Sequence, residues 1–111
     1  MSHEISVSKV IEKLPSRFIR ENAANFKAIF QFELEDDQDF YIAIEDQSCT
    51  VTTGEHPDPD ITLIMAAQTF INVINGEQDG MGAFMSGKLR AEGSIILATR
   101  LSKLFSRKKQ S

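Results

Sequence analysis

The sequence predicts an α+β fold in which a five-stranded, mostly antiparallel sheet is covered on one face by helices. Apolar residues repeat with helical spacing near the N-terminus, alternate with polar residues from position 26 to position 44, and return to helical spacing from position 66. Clusters of Asp, Pro and Gly separate the alternating segments, as expected for turns between strands. Because most strands fall in one run and most helices in another, we expect one layer of sheet and one layer of helices.

The N-terminal segment predicts two short helices. Four apolar residues share one helical face: Val7, Val10, Ile11 and Leu14. Pro15 is expected to end or kink this helix, because proline lacks the backbone N–H that an interior turn needs. A second helix is expected over residues 16–23, with Phe18 and Ile19 on its buried side.

The next segment predicts a β-hairpin. Apolar side chains occupy every second position of its first strand: Phe26, Ala28, Phe30, Phe32 and Leu34. Residues 36–39 are polar and form the turn, and the alternation resumes at Phe40, Ile42 and Ile44. This pattern predicts an antiparallel pair of strands with one buried face.

Two further strands follow the hairpin. Residues 49–53 are short and rich in β-branched side chains, which favour a strand. Pro57 and Pro59 mark a loop over residues 55–60, and residues 61–65 then form the fourth strand.

The C-terminal third predicts helices around a fifth strand. Residues 66–75 return to helical spacing, and Gly76 takes the position after the helix end, where glycine is favoured. A shorter helix is expected over residues 81–86. Residues 89–92 alternate between apolar and charged side chains and form the fifth strand, and residues 94–105 form the last helix.

The composition predicts a single domain over residues 1–111 in a reducing compartment. Of the 111 residues, 41% are apolar, and no apolar run is long enough to span a membrane. Cys49 is the one cysteine, so no internal disulfide can form, and a cytoplasmic location is predicted.

The net charge of −4 is distributed unevenly along the chain. Residues 28–87 contain twelve Asp or Glu and no Lys or Arg, whereas residues 88–111 contain seven Lys or Arg and one Glu. The acidic middle would repel phosphate, so no nucleic-acid partner is predicted. Residues 106–111 are predicted to form a flexible basic tail that either contacts an anionic membrane transiently or stays solvated. The oligomeric state is not predicted by these features.

The segment around Gly87 approaches a phosphate-binding loop but fails its requirements. Gly82 precedes Gly87 and Lys88 with the spacing of such a loop, yet Leu89 replaces the hydroxyl residue that would hold magnesium. The polar residues before Gly82 do not form the buried strand that a phosphate loop follows, and Phe84 adds apolar bulk where phosphate oxygens need access. A nucleotide site is therefore not predicted.

Other candidate polar sites are equally weak. His56, Asp58 and Asp60 alternate with prolines, which favours a turn entering a strand over a metal site. Cys49 lies within a strand, where a cysteine is usually a small buried residue rather than a nucleophile. No catalytic residue, metal or cofactor is predicted.

Apolar side chains beside glycines predict an adaptable cavity. Phe84 and Met85 lie between Gly82 and Gly87, and the last helix is apolar over much of its circumference. Flexible Met and flat Phe at such joints suit a cavity that accepts varied apolar ligands.

A group of motifs extends over nearly the whole chain. The most specific one is A-F-x-x-G-K-L at residues 83–89, followed by Gly93 before an amphipathic helix. Weaker parts are LPSRF at residues 14–18 and DPDITL at residues 58–63. Together these motifs resemble the sterol carrier protein type 2 domain, the sterol-binding fold of lipid-transfer proteins.

This resemblance implies an apolar tunnel between the sheet and the helices, and non-catalytic binding and transfer of a lipid such as a fatty acid, an acyl-CoA or a sterol. The residues implied to line the tunnel are apolar: Phe70, Ile74, Met81, Phe84, Met85, Ile96, Leu97, Leu101, Leu104 and Phe105. Arg100 and Lys103 are implied weakly as contacts for a lipid head group. Two alternatives remain open: an accessory subunit that presents an isoprenoid or lipid intermediate to biosynthetic enzymes, and a small α+β enzyme.

The last helix is predicted to be a lid over this cavity. Its apolar residues form a wide stripe that needs an apolar surface to pack against. The inner face of the sheet is already covered by the helices at residues 7–14 and 66–75, so the cavity is the remaining surface. Ser94 is expected to cap its start. The alternative is a fixed core helix, with Arg107, Lys108 and Lys109 in a solvated tail.

Overall fold

The computed structural model of the protein describes residues 7–105. Its elements follow in chain order: α1 (Val7–Arg17), a 3₁₀ turn (Arg20–Ala23), β1 (Ala28–Leu34), β2 (Phe40–Glu45), β3 (Ser48–Thr53), β4 (Ile61–Met65), α2 (Ala67–Ile74), α3 (Gly80–Met85), β5 (Leu89–Gly93) and α4 (Ile95–Leu104). The predicted basic tail at residues 106–111 lies outside the described residues.

The five strands form one sheet in the order β3-β2-β1-β4-β5. Within residues 7–105, β1–β2, β2–β3 and β4–β5 pair antiparallel, and β1 and β4 pair parallel. The predicted α+β class with a mostly antiparallel sheet is therefore confirmed. Because β1 and β4 run in the same direction, β4 ends at the same end of the sheet as β1, where the turn to β2 lies. Helix α2 begins at that end.

The alternation predicted for β1 and β2 sets the buried face of the sheet. Phe30 lies opposite Ile42 and Phe32 lies opposite Phe40, and all four side chains are almost completely buried. The rings of Phe32 and Phe40 stack with their centroids 4.8 Å apart, and Phe70 of α2 meets both rings edge-on at 5.5 and 5.2 Å. Aromatic pairs favour these offset and edge-on geometries, so this cluster joins α2 to the sheet.

The N-terminal region differs from its prediction. Pro15 does not end α1, which continues to Arg17, and the alternative that Pro15 kinks the helix stays a prediction. The Ser16 hydroxyl donates to the Lys13 carbonyl, 2.7 Å away, within this last turn. The second helix is a single 3₁₀ turn, Arg20–Ala23, and does not begin at residue 16.

The helices α2 and α3 end in the same way. Gly76 and Gly87 follow them with φ angles of +79° and +85°, in the left-handed region that glycine adopts without strain. The N–H of Glu77 donates to the Asn72 carbonyl, and the N–H of Lys88 donates to the Ala83 carbonyl. These bonds complete a Schellman motif at each helix end, where carbonyls would otherwise lack partners.

The start of α4 depends on the backbone rather than on a capping side chain. Ser94 occupies the predicted cap position, but its hydroxyl makes no capping hydrogen bond, so that part of the prediction is wrong. Its N–H donates instead to the Asp60 carbonyl, 3.2 Å away. Gly93 precedes it with a φ of +108°, and a Cβ at this position would lie 2.7 Å from the same carbonyl oxygen. The first turn of α4 is thereby held against the start of β4.

Candidate functional site: an apolar cavity between β4, β5 and the C-terminal helices

A cavity of about 400 Å³ lies between the sheet and helices α2, α3 and α4. Its walls are mainly apolar, and its volume falls in the range of about 300–1,000 Å³ that is usual for small-molecule sites. The lining residues are Phe32, Leu63, Met65, Phe70, Val73, Ile74, Gly76, Gln78, Asp79, Gly80, Met81, Phe84, Leu89, Ala91, Ile95, Ala98, Thr99, Leu101, Lys103 and Phe105.

The mouth of the cavity lies between α3 and the first turn of α4. Met81 and Phe84 on α3 and Ile95 on α4 line the cavity, and yet they are 51%, 39% and 43% exposed. The side chains at the far wall, including Phe32 and Phe70, are almost completely buried. The cavity therefore runs from an apolar opening at the surface to the aromatic cluster of the core.

Few polar side chains line the cavity, and two of them are already engaged. The Asp79 carboxylate accepts the Gly82 N–H at 2.9 Å, which caps the N-terminus of α3. The Thr99 hydroxyl donates to the Ile96 carbonyl at 2.7 Å. Within residues 7–105, no carboxylate lies close enough to the Lys103 ammonium group to form an ion pair. Lys103 is thus a cation at an apolar cavity with no anionic partner in the described chain.

Six of the ten predicted apolar site residues line the cavity: Phe70, Ile74, Met81, Phe84, Leu101 and Phe105. The other four do not. Met85 and Ile96 lie on the surface, 79% and 76% exposed, while Leu97 packs half-buried against the core and Leu104 is fully buried in it. Of the two predicted head-group residues, Lys103 lines the cavity, and Arg100 instead places its guanidinium 4.5 Å from the centre of the Phe26 ring. A role in binding remains a prediction for all of these residues.

Much of the wall comes from strand residues that the sequence prediction did not include. Leu63 and Met65 of β4, with Leu89 and Ala91 of β5, face the cavity at alternate positions. The sequence had shown alternation for Leu89 and Ala91, and the same alternation applied to both strands could have identified all four as wall residues. The position of β5 at the edge of the sheet leaves these side chains without a filled core above them.

The two ends of α4 are held very differently. At its C-terminal end, Leu104 and Phe105 are buried, the Ile19 N–H donates to the Leu104 carbonyl at 2.7 Å, and the rings of Phe18 and Phe105 lie 5.7 Å apart. At its N-terminal end, Ile95 is 43% exposed. The first turn is still bound to the start of β4 through the Ser94 N–H and the Asp60 carbonyl, so neither end of α4 is free, and the lid role predicted for this helix stays a prediction.

The orientation of α2 is fixed by Arg17 from the end of α1. Its guanidinium donates to the Ile74 carbonyl at 2.6 Å and to the Asn75 side chain at 3.1 Å. Partial burial lowers the pKa of Arg17, although arginine stays charged at any ordinary pH. The bond to Ile74 satisfies one of the last carbonyls of α2, and the two bonds together hold Ile74 at the cavity wall.

The polar motifs considered from sequence lie elsewhere. The segment with the spacing of a phosphate loop is occupied by α3, and Gly87 and Lys88 form its C-terminal Schellman motif. His56 accepts the Asp58 N–H on its Nδ1, and Asp60 accepts the Ile29 N–H, so both side chains serve the loop before β4. Burial raises the pKa of the Cys49 thiol to about 11, which keeps it protonated and unreactive at neutral pH.

The sequence of this domain matches a known family. A family model described as the SCP-2 sterol transfer family matches residues 9–106. The chain belongs to this family. The resemblance inferred from the sequence motifs is therefore confirmed. Among residues 7–105, no helix is both long and apolar enough to cross a bilayer.

The matches to curated relatives cover only part of those proteins. The chain is 37% identical over 81 residues to hydroxysteroid dehydrogenase-like protein 2 of Rattus norvegicus, a match that covers 70% of this chain and 16% of the relative. It is 33% identical over 52 residues to an oleate-induced peroxisomal protein of Candida maltosa, covering 47% of this chain and 41% of the relative. The chain thus spans less than half the length of these relatives. The cytoplasmic location of this chain stays a prediction. One of the relatives is named as peroxisomal.

Solved structures confirm the fold. The sec-alkylsulfatase Pisa1 from Pseudomonas sp. aligns with a TM-score of 0.85 at 17% identity, over 96% of this chain and 17% of the enzyme. The palmitated sterol carrier protein 2-like 2 from Aedes aegypti aligns with a TM-score of 0.74 at 20% identity, over 96% of this chain and 100% of that protein. At these identities the likeness concerns the fold, which is shared by a free-standing protein and by one part of an enzyme.

Proposed function

We propose that this protein binds a single lipid molecule in the cavity and carries it, without catalysing a reaction on it. The observation that carries the proposal is the 400 Å³ apolar cavity whose mouth opens between α3 and α4. Apolar surface is stabilised by about 25 cal/mol for each Å² removed from water, so a hydrocarbon chain supplies the binding energy that such walls can use. Membership of a sterol transfer family agrees with this proposal.

Lys103 favours a ligand with an anionic head group. Its side chain lines a cavity that is otherwise mainly apolar, and within residues 7–105 it has no ion-pair partner. A carboxylate beside this ammonium group would gain a charge-assisted hydrogen bond while its chain lies against apolar walls. A fatty acid combines these two features, and the palmitated neighbour of the same fold makes palmitate a suitable probe.

The polar lining supports carriage rather than catalysis. Asp79 is committed to capping α3, and the Thr99 hydroxyl is committed to a helix carbonyl. General acid–base chemistry needs a titratable pair placed within hydrogen-bond reach of a bound substrate. Neither of these side chains is arranged for it.

Displacement of a fluorescent fatty acid by palmitate tests this function. Phe84→Asp places a carboxylate in the cavity wall, where desolvation of a charge is costly, and it is expected to weaken palmitate binding at least tenfold. Met85→Asp is the matched control, because Met85 is the next residue of the same helix but lies outside the cavity and is 79% exposed. Equal affinities for the two variants, with unfolding curves showing both folded, would contradict the proposed site. Recovery of chemically altered palmitate would contradict carriage without catalysis.

A further inference from the structure

We propose that Gln78 is a specificity-determining residue, because its side-chain amide and the Lys103 ammonium group together form a site with two donors for a free carboxylate. This site selects an unesterified acid over an alcohol or an ester that has the same hydrocarbon chain. The inference rests on the proposed function, since it concerns the head group of the carried lipid.

The Gln78 side chain reaches the cavity with its hydrogen-bonding groups unused. Gln78 is half-buried and lines a cavity whose walls are mainly apolar. Within residues 7–105, its amide forms no hydrogen bond, and no side-chain N or O atom that is completely buried lacks a partner. The Gln78 amide is therefore accessible, and a ligand that supplies its missing partner gains a hydrogen bond without breaking one inside the protein.

The backbone at Gln78 is fixed against α2. Its N–H donates to the Asn72 carbonyl at 3.1 Å, and the Glu77 N–H donates to the same carbonyl at 2.8 Å. These two bonds fold the linker between α2 and α3 back onto the last turn of α2. Because the backbone is already ordered, less entropy is lost when the Gln78 side chain binds a ligand.

The backbone at Lys103 is fixed in a similar way. Its carbonyl accepts a hydrogen bond from the Asn22 side chain at 2.7 Å, and the next residue, Leu104, is fully buried. The Lys103 ammonium group has no ion-pair partner among residues 7–105, although the residue lines the cavity. Lys103 thus offers a cation from a fixed position.

Two consecutive residues bring Gln78 and Lys103 to the same end of the cavity. The Arg17 guanidinium donates to the last residues of α2, whereas the Phe18 ring packs on Phe105, directly after α4, with the centroids 5.7 Å apart. The C-terminal ends of α2 and α4 are therefore neighbours. Gln78 follows the end of α2 and Lys103 lies at the end of α4, so both side chains line this end of the cavity.

This polar end is distant from the apolar mouth. Ile95 at the mouth and Lys103 at the polar end both line the cavity from α4. Their positions in the sequence place them ~12 Å apart along the helix axis, at a rise of about 1.5 Å per residue. A ligand whose carboxylate lies at the polar end therefore directs its hydrocarbon chain toward the mouth.

An ammonium group and an amide group together are complementary to the two oxygens of a carboxylate. Lys103 supplies a charge-assisted hydrogen bond to one oxygen, and the amide N–H of Gln78 donates to the other. An ester carries no charge and an alcohol has a single oxygen, so neither makes full use of both donors. Asp79 follows Gln78, but its carboxylate accepts the Gly82 N–H and is exposed, so salt and water screen its repulsion of the ligand.

Binding of two ligands with one chain length tests this assignment. Displacement of a neutral apolar dye measures the affinities for palmitate and for hexadecanol, and the unmodified protein is expected to prefer palmitate. Gln78→Leu removes the amide at similar size and is expected to weaken palmitate binding about tenfold, the effect of one lost hydrogen bond to a charged group. Hexadecanol binding is expected to change less than about threefold, because a neutral hydrogen bond contributes less. A residue that only supports the fold would change both affinities alike.

Two further variants complete the test. Gln68→Leu is the matched control, because Gln68 is exposed on α2, lies outside the cavity and donates to the Asn72 side chain. It is expected to change either affinity less than about twofold. Lys103→Met keeps an apolar stem and removes the charge, so it is expected to weaken palmitate binding about tenfold. In the double variant of Gln78 and Lys103, the loss is expected to be smaller than the product of the two single losses, since both donors bind one carboxylate.

Three outcomes would overturn this assignment. The first is an unmodified protein that binds hexadecanol as tightly as palmitate. The second is a preference for palmitate that Gln78→Leu leaves unchanged or that Gln68→Leu lowers equally. The third is a double variant whose loss equals the product of the single losses, which would place the two side chains at separate sites. Failure of the unmodified protein to bind either ligand would contradict the proposed function instead.

Discussion

The space between the sheet and the helices has a filled half over β3, β2 and β1, and a hollow half between β4, β5, α3 and α4. In the filled half, the inward-facing side chains include Phe30, Phe32 and Phe40, which stack against one another and against Phe70 with almost no exposure. In the hollow half, the inward-facing residues of β5 are Leu89 and Ala91, and they face the cavity. Alternation decides which residues point inward in both halves, but the size of those residues decides whether the space is filled.

Truncation of a phenylalanine in each half gives the largest expected contrast. Phe40→Ala in the filled half is expected to lower the free energy of unfolding by ~3–5 kcal/mol, because a buried ring leaves a cavity that its neighbours cannot close. Phe84→Ala in the hollow half is expected to cost less than about 1 kcal/mol, since this ring is 39% exposed and already borders empty space. Urea denaturation of both variants measures the difference, and equal losses would contradict the division into two halves.

The second contrast uses two glycines with nearly the same backbone conformation. Gly93 and Gly54 have φ angles of +108° and +107°, but a Cβ at Gly93 would lie 2.7 Å from the Asp60 carbonyl oxygen, whereas a Cβ at Gly54 would meet nothing within 4 Å. We expect Gly93→Ala to cost roughly 3 kcal/mol and Gly54→Ala about 1 kcal/mol, the latter from backbone strain alone. Thermal unfolding compares them. Matching losses would show that the close approach between β4 and the start of α4 is unimportant.

A larger side chain is expected to lower the stability of the protein in the filled half and to raise it in the hollow half. Ala28→Leu overfills the core beneath β1, where Ala28 is 1% exposed, and is expected to lower stability by ~1–3 kcal/mol. Ala98→Leu places the same methyl groups in the cavity and is expected to raise stability by up to about 1 kcal/mol while weakening palmitate binding. Denaturation and palmitate displacement are measured on both variants. A loss of stability in Ala98→Leu would mean that the cavity is not free space.

The smallest effect concerns Cys49 at the edge of the filled half. Burial raises the pKa of its thiol from 9.0 to about 11, so the folded protein holds this proton to a higher pH than the unfolded chain. The thiol is therefore expected to lower the free energy of unfolding as the pH rises from 9 to 11, by less than about 1 kcal/mol because its partial exposure weakens the shift. Cys49→Ala removes this contribution. Parallel pH profiles of the two proteins would show that the thiol is not desolvated.

The predictions from sequence succeeded where short-range rules determine the structure. The strand at residues 61–65 has its predicted bounds, because Pro57 and Pro59 mark the loop that ends just before it. The end of α2 at Gly76 was also predicted, since a left-handed residue after a helix favours glycine. Each of these features depends on a few neighbouring residues.

The predictions were incomplete where distant parts of the chain decide the outcome. The parallel pairing of β1 with β4 joins segments that are separated by a complete hairpin, and no local pattern specifies it. The surface position of Met85 was missed because α3 has only six residues, too few for a periodic pattern to show which face is buried. Arg100 was placed at the cavity in the prediction, but its stacking on Phe26 depends on a contact between the last helix and the first strand region.

The contact between Phe18 and Phe105 has a consequence for the order of folding. It joins positions close to the two ends of the described chain, together with the hydrogen bond from Ile19 to Leu104. Contacts that close such a long loop carry a high entropic cost until the intervening structure has formed. The hairpin of β1 and β2 closes early by comparison, because its partners are near neighbours in sequence. We therefore expect the hairpin with its Phe32–Phe40 stack to form first and the cavity to be completed last, so that a newly made chain becomes able to hold its ligand only when its final helix has docked.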